Sequence, residues 1–279
     1  MNIGQFLGTI RHCQPQETIF ALSQSPPSST KRLEKQLRRE STSDAERRLR
    51  SQLIADNIFA TSPYLTRPNF EEIHDEDIQL LYELYDEHYF SGLIHKSLQP
   101  SQISFRLAPR MTRAGGKTTR WGNARGTTPP RYEIAIASTL LFQSFQDPER
   151  SITVTGLECD SRLDALMRVM EHELVHLMEM LVWNDSNCSL CRFQDIASRT
   201  FGHRDHRHDL ITPREVAVTQ YGIRPGVRVR FDFEGHSLEG VVNRVTKRAT
   251  VLVADENGER YSDGKRYSCL LYTSPSPRD

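Results

Sequence analysis

The chain has 279 residues, with 36 Lys+Arg against 36 Asp+Glu and 37% hydrophobic residues. That length is ample for one or two domains with a real core, and zero net charge excludes a nucleic-acid binder held by bulk positive charge, leaving only local basic patches. No run approaches the roughly 18 apolar residues of a membrane span, the start lacks the features of a secretory signal, and five cysteines do not make a disulfide framework, so a soluble, cytoplasmic protein without a membrane partner is expected.

Residues 1–75 are expected to form a loosely ordered or helical arm. Pro15, Pro26 and Pro27 stand among many Ser, Thr and Gln, and Lys31–Arg50 carries eight basic and four acidic residues. The interleaved acids make this segment a solvated helical face rather than a nucleic-acid contact. Ser43 and Glu46 have the spacing of a capping box, which opens a helix running to about Ile54. From Asp77, the residues Ile78, Leu81, Tyr82, Tyr85 and Tyr89 fall on one stripe of an amphipathic helix that stops near Gly92. Three strands follow: Ile103–Leu107, Ala114–Trp121, whose glycines allow close backbone approach, and Tyr132–Ile136. A long apolar helix is expected over Asp160–Trp183, then a break at Asp185–Cys188, a shorter helix over Leu190–Phe201 and the His-rich segment Gly202–Asp209. After Gly222 short strands at close spacing predict a small SH3-like β-barrel over 222–268, with a turn at Asp255–Gly258. The last eleven residues, CLLYTSPSPRD, correspond through the genetic code to a transposase-type sequencing adapter. They are set aside as a tail, so the barrel is expected to be truncated at Ser268.

The chemistry-bearing motif is His172-Glu-Leu-Val-His176 on the long helix. Histidines four apart project from one helical face and can share one Zn²⁺, which lowers the pKa of its water to about 7; Glu173 beside them accepts the proton. The reaction class is metal-assisted hydrolysis of an amide.

Several stretches in register resemble one family. Tyr82-Glu-Leu-Tyr-Asp-Glu-His-Tyr-Phe-Ser-Gly-Leu93, Arg113-Ala-Gly-Gly-Lys-Thr118, Tyr132-Glu-Ile-Ala-Ile136 and Met170-Glu-His-Glu-Leu-Val-His176 are similar, in that order, to SprT-like zinc metallopeptidases. The resemblance covers about residues 77–210. It implies a zincin-like α+β fold over 76–215, zinc as cofactor, His172 and His176 as ligands, Glu173 as general base and protein as substrate. In Spartan-type members it also implies proteins crosslinked to DNA.

Catalytic zinc takes three protein ligands and keeps one position open. The family's third ligand is a histidine shortly before a Phe, but the approach to Phe193 here is Cys188-Ser-Leu-Cys-Arg, without histidine. His203 and His208 are the alternatives for the third ligand, Cys188 is a further candidate, and His206 is read as facing solvent. A helix over 190–201 spans about 18 Å, so its two ends cannot both reach the metal; the imidazole-rich far end is expected to supply the ligand. Arg113 and Lys117 are candidates for oxyanion stabilisation by charge alone. The alternative reading is a non-enzymatic nucleic-acid or protein adaptor with a structural zinc on Cys188, Cys191, His203 and His208, a site with no use for Glu173. The barrel's nine basic and seven acidic residues give it too little charge for strong phosphate binding.

Overall fold

The protein is described here from a computed structural model, over residues 28–122, 128–146, 150–246 and 248–272. It is a mixed α+β structure with small sheets. Its first helices are α1 (Ser28–Arg39), α2 (Asp44–Thr61), α3 (Asp75–Phe90) and α4 (Leu93–Leu98). Strands β1 (Gln102–Leu107), β2 (Gly116–Trp121) and β3 (Arg131–Ile136) follow, in the spatial order β1-β3-β2. β1 runs parallel to β3 and β2 antiparallel to it, with Gly116 opposite Ile136 and Thr118 opposite Ile134. Next come α5 (Ser138–Ser144) and the two-stranded ribbon β4 (Ile152–Val154) and β5 (Leu157–Cys159), then α6 (Arg162–Trp183) and α7 (Cys191–Phe201).

α6 is the central element. Ser161 caps its first turn by accepting from the Asp164 amide, and Asn184 ends it in the left-handed conformation. Thirteen of its 22 residues are buried, among them Leu163, Leu166, Met170, Leu174 and Leu177. It packs against β2 and β3, while α3 covers β1, with the Tyr82 ring 5.0 Å from that of Phe105. All three expected helices and all three expected strands of this region are present. α4, α5 and the β4–β5 ribbon lie in segments whose apolar runs are too short for a period to emerge.

The expectation for residues 1–75 needs correction where they are described. The Ser43/Glu46 capping box is present, but α1 and α2 are not a solvated arm. Leu33, Leu37, Ile54 and Ile58 are all at most 2% exposed and belong to the same apolar cluster as α3 and α6. Basic side chains of the pair are used internally: Arg47 donates to the Ser198 carbonyl at the end of α7, and Arg38 lies 5.3 Å from the Trp183 ring. A charge-rich helix with one apolar residue every three or four positions still buries a narrow stripe. Pro15, Pro26 and Pro27 lie outside the described residues.

The C-terminal strands differ from a barrel. Helix α8 (Pro213–Tyr221) precedes β6 (Arg228–Phe233), β7 (His236–Val245), β8 (Ala249–Arg260) and β9 (Arg266–Tyr272). Among the described residues these form an open antiparallel sheet in sequence order, around a small cluster of Phe231, Val242, Val245 and Val251. The turn expected at Asp255–Gly258 is a register irregularity within β8. Cys269–Tyr272, set aside as tail, lie in β9 and pair with Ala249–Leu252.

Because α1 shares the core of the metal-site helix, Leu33→Ala is expected to lower unfolding stability by about 2–5 kcal/mol. Urea denaturation monitored by circular dichroism checks this; an unchanged midpoint would contradict the packing of α1.

Candidate metal centre

His172 and His176 stand one turn apart on α6, and their Nε2 atoms approach to 3.2 Å. The buried Phe193 ring of α7 packs against both imidazoles, at 4.8 and 4.5 Å between centroids. Burial, reinforced for His172 by the neighbouring His176, lowers the two pKa values to about 2 and about 4 respectively. Both rings are therefore neutral near pH 7, and a neutral imidazole is the form that ligates a metal.

The third potential donor is Cys188. Among the described residues, His172, His176 and Cys188 form the one group of three whose potential ligand atoms lie within 4.8 Å of one another. The left-handed residue Asn184 (φ 60°) turns the chain back at the end of α6, and four residues later Cys188 reaches the histidine pair. The donor set of two imidazoles and one thiol fits zinc. Among the described residues, the buried Nδ1 of His172 has no hydrogen-bond partner. Ligation at Nε2 would leave the ring proton on that Nδ1.

His203 is not at this centre, which corrects the expectation that the far end of α7 supplies the ligand. Gly202 caps α7 in the left-handed region (φ 79°), and His203 turns inward to place Nε2 2.8 Å from Glu171 Oε2. Glu171 is fully buried and also accepts from the Tyr85 hydroxyl and Arg168. Burial raises the Glu171 pKa, but Arg168 and His203 outweigh it and the net shift is downward. His203 thus serves a buried ionic network. His206 and His208 line the cleft rather than joining the ligand group. Hydrogen bonds from the Thr155 amide to the Arg207 carbonyl and from the Asp209 amide to the Thr153 carbonyl strap their segment along β4. With His203 committed to Glu171 and Cys188 to the histidine pair, the four residues of the structural-zinc alternative do not come together.

The centre opens into a cleft of about 580 Å³. Its walls include Arg113, Lys117, Val169, Met180, Ser186 and Arg207. Glu173 lies in it but is only 3% exposed. Its Oε2 accepts from the Thr118 hydroxyl at 2.8 Å, and burial, opposed by that bond, raises its pKa to about 7. Gly116 makes this fit possible: a Cβ there would lie 2.7 Å from both Cγ and Oε1 of Glu173. The glycines of 115–116 do permit the close approach expected of them. Thr118 escaped sequence reading, because nothing in a strand of polar residues marks which one faces the helix.

Three glutamates of α6 are buried, and their partners separate their roles. Glu171 has Arg168, Tyr85 and His203; Glu179 has Arg192 and Ser186. Among the described residues Glu173 has Thr118 alone, through its hydroxyl and its backbone, and no cation. No protein family, curated protein or solved structure matches the chain.

Cys188→Ser is expected to lose stoichiometric zinc, whereas His203→Ala keeps it while losing about 1–3 kcal/mol of stability through the buried hydrogen bond to Glu171 that it removes. Zinc content after dialysis and thermal unfolding of each variant check this. A His203→Ala protein that loses zinc at unchanged stability would contradict the assignment.

Proposed function

We propose that the protein is a zinc-dependent peptidase that hydrolyses protein substrates in the cleft above α6, with Glu173 as general base and His172, His176 and Cys188 as zinc ligands. The observation that carries the reading is the state of Glu173: a carboxyl enclosed beside two convergent imidazoles, with one neutral hydrogen-bond partner and a pKa raised to about 7. A buried carboxylate kept for structure is paired with cations, as Glu171 and Glu179 are. A general base works best with a pKa near the working pH.

Bound zinc supplies the Lewis acid that polarises a scissile carbonyl and makes water more acidic. The protein's own groups do the rest. Glu173 takes a proton from the attacking water and returns it to the leaving amine. The Thr118 hydroxyl holds Oε2 in place, while Oε1 packs against the backbone at Gly116. Phe193 fixes the orientation of both imidazoles. Arg113 and Lys117 on the cleft wall offer positive charge to an extended peptide backbone.

The SprT-like resemblance and its zincin-like fold accord with helix α6 packed on a three-stranded sheet, and they extend the proposal to proteins associated with or crosslinked to DNA. Zinc assay and cleavage of a disordered protein, with and without single-stranded DNA, test it together. Glu173→Gln is expected to keep one zinc per chain and to lose about 10²–10⁴-fold in hydrolysis. Full activity in that variant would contradict the proposal.

A further inference from the structure

A second chain of partly buried polar groups runs behind His176, on the side of the ring away from Nε2. Its Nδ1 is 2.7 Å from Ser186 Oγ. Ser186 Oγ donates to Glu179 Oε2 at 2.7 Å, and Arg192 Nε donates to Glu179 Oε1 at 2.6 Å. Glu179 is only 1% exposed, and the Arg192 guanidinium stacks on the Trp183 ring at 4.6 Å. The four groups come from three adjacent segments: His176 and Glu179 from one face of α6, Ser186 from the turn after it, and Arg192 from the first turn of α7.

We infer that Ser186 and Glu179 are positioning residues for the metal centre, forming a serine-bridged carboxylate relay that fixes the His176 tautomer with Nδ1 protonated and Nε2 free to bind metal. The inference follows from counting protons. A carboxylate only accepts, and a serine hydroxyl has one proton to give. With that proton donated to Glu179, Ser186 Oγ is left as an acceptor toward His176, so the short contact requires a proton on Nδ1. The lone pair then sits on Nε2, facing His172 and Cys188. Negative charge transmitted through the bridge also makes Nε2 a stronger donor, as carboxylates hydrogen-bonded to ligand histidines do elsewhere. Among the described residues His172 has no such support, since its Nδ1 has no hydrogen-bond partner. The two histidines of the motif are therefore unequal, and His176 is the preorganised one. The same turn carries Ser186 and Cys188, so the relay also anchors the third ligand to α6.

This inference rests on the metal-centre reading, but its test needs no hydrolysis. In the zinc-free protein, two-bond ¹H–¹⁵N correlation spectra are expected to show His176 as the Nδ1–H tautomer and to show a mixture of tautomers in Ser186→Ala. Competition with a chromophoric chelator should show zinc affinity falling about 10–100-fold in Ser186→Ala and Glu179→Gln and recovering in Ser186→Thr. The far-ultraviolet dichroism of Ser186→Ala should match the parent; that variant decides the matter if removing the charge of Glu179 prevents folding. A parent protein with His176 protonated at Nε2, or unchanged zinc affinity in Ser186→Ala, would overturn the inference. A protein that binds zinc with the expected tautomer but cleaves nothing contradicts the peptidase reading alone.

Discussion

The contact between α6 and the edge strand β2 governs the site. Gly116 brings the strand backbone within van der Waals distance of the Glu173 side chain, and Thr118 two residues on, on the same face, supplies its hydroxyl to the carboxyl. Any side chain at 116 would push Glu173 out of the enclosure that raises its pKa. The approach also seals one wall of the cleft. Burial is thus the cause of both the raised pKa of Glu173 and the neutrality of the two imidazoles, and it costs free energy that the surrounding core must offset. The core is correspondingly broad: α1 and α2 contribute to it from the opposite end of the sequence.

α6 carries its ionisable groups in a sorted way. Glu171 and Glu179 are tied to Arg168 and Arg192, and those pairs connect the helix to α3, to the turn at Gly202 and to α7. Removing one member of such a pair leaves a buried charge without compensation, which makes the pairs rigid fixtures more than net sources of stability. Glu173 lies between them without a cation. A helix pinned by ionic contacts at both ends of the motif can hold an under-partnered carboxyl in its middle, and that contrast separates a chemical role from a structural one.

The parts of the structure legible in the sequence are those encoded by periodicity and local signals. α3, α6, α7 and the three strands of the first sheet follow from apolar spacing, the α2 start from Ser43 and Glu46, and the histidine pair from its four-residue interval. What was not legible depends on long-range geometry. The open form of the last sheet depends on whether β9 meets β6, which no local pattern determines. His203 and Cys188 are both plausible ligands by type, and the choice between them turns on the buried Glu171. That carboxyl needs a partner and lies one residue before His172, around the helix from the metal face. The length of α7 allows only one of its ends at the histidine pair, but the preference of zinc for imidazole does not determine which end that is. Ser186 and Thr118 are ordinary polar residues until folding sets them against His176 and Glu173.

The central claim is the composition of the metal centre, and X-ray absorption at the zinc edge addresses it most directly. The account predicts a first coordination sphere with one sulfur at about 2.3 Å and two imidazole nitrogens at about 2.0 Å, with any remaining position held by a light atom. A spectrum without sulfur, with three imidazoles around the zinc, would contradict it and return the third ligand to the histidines of 203–208.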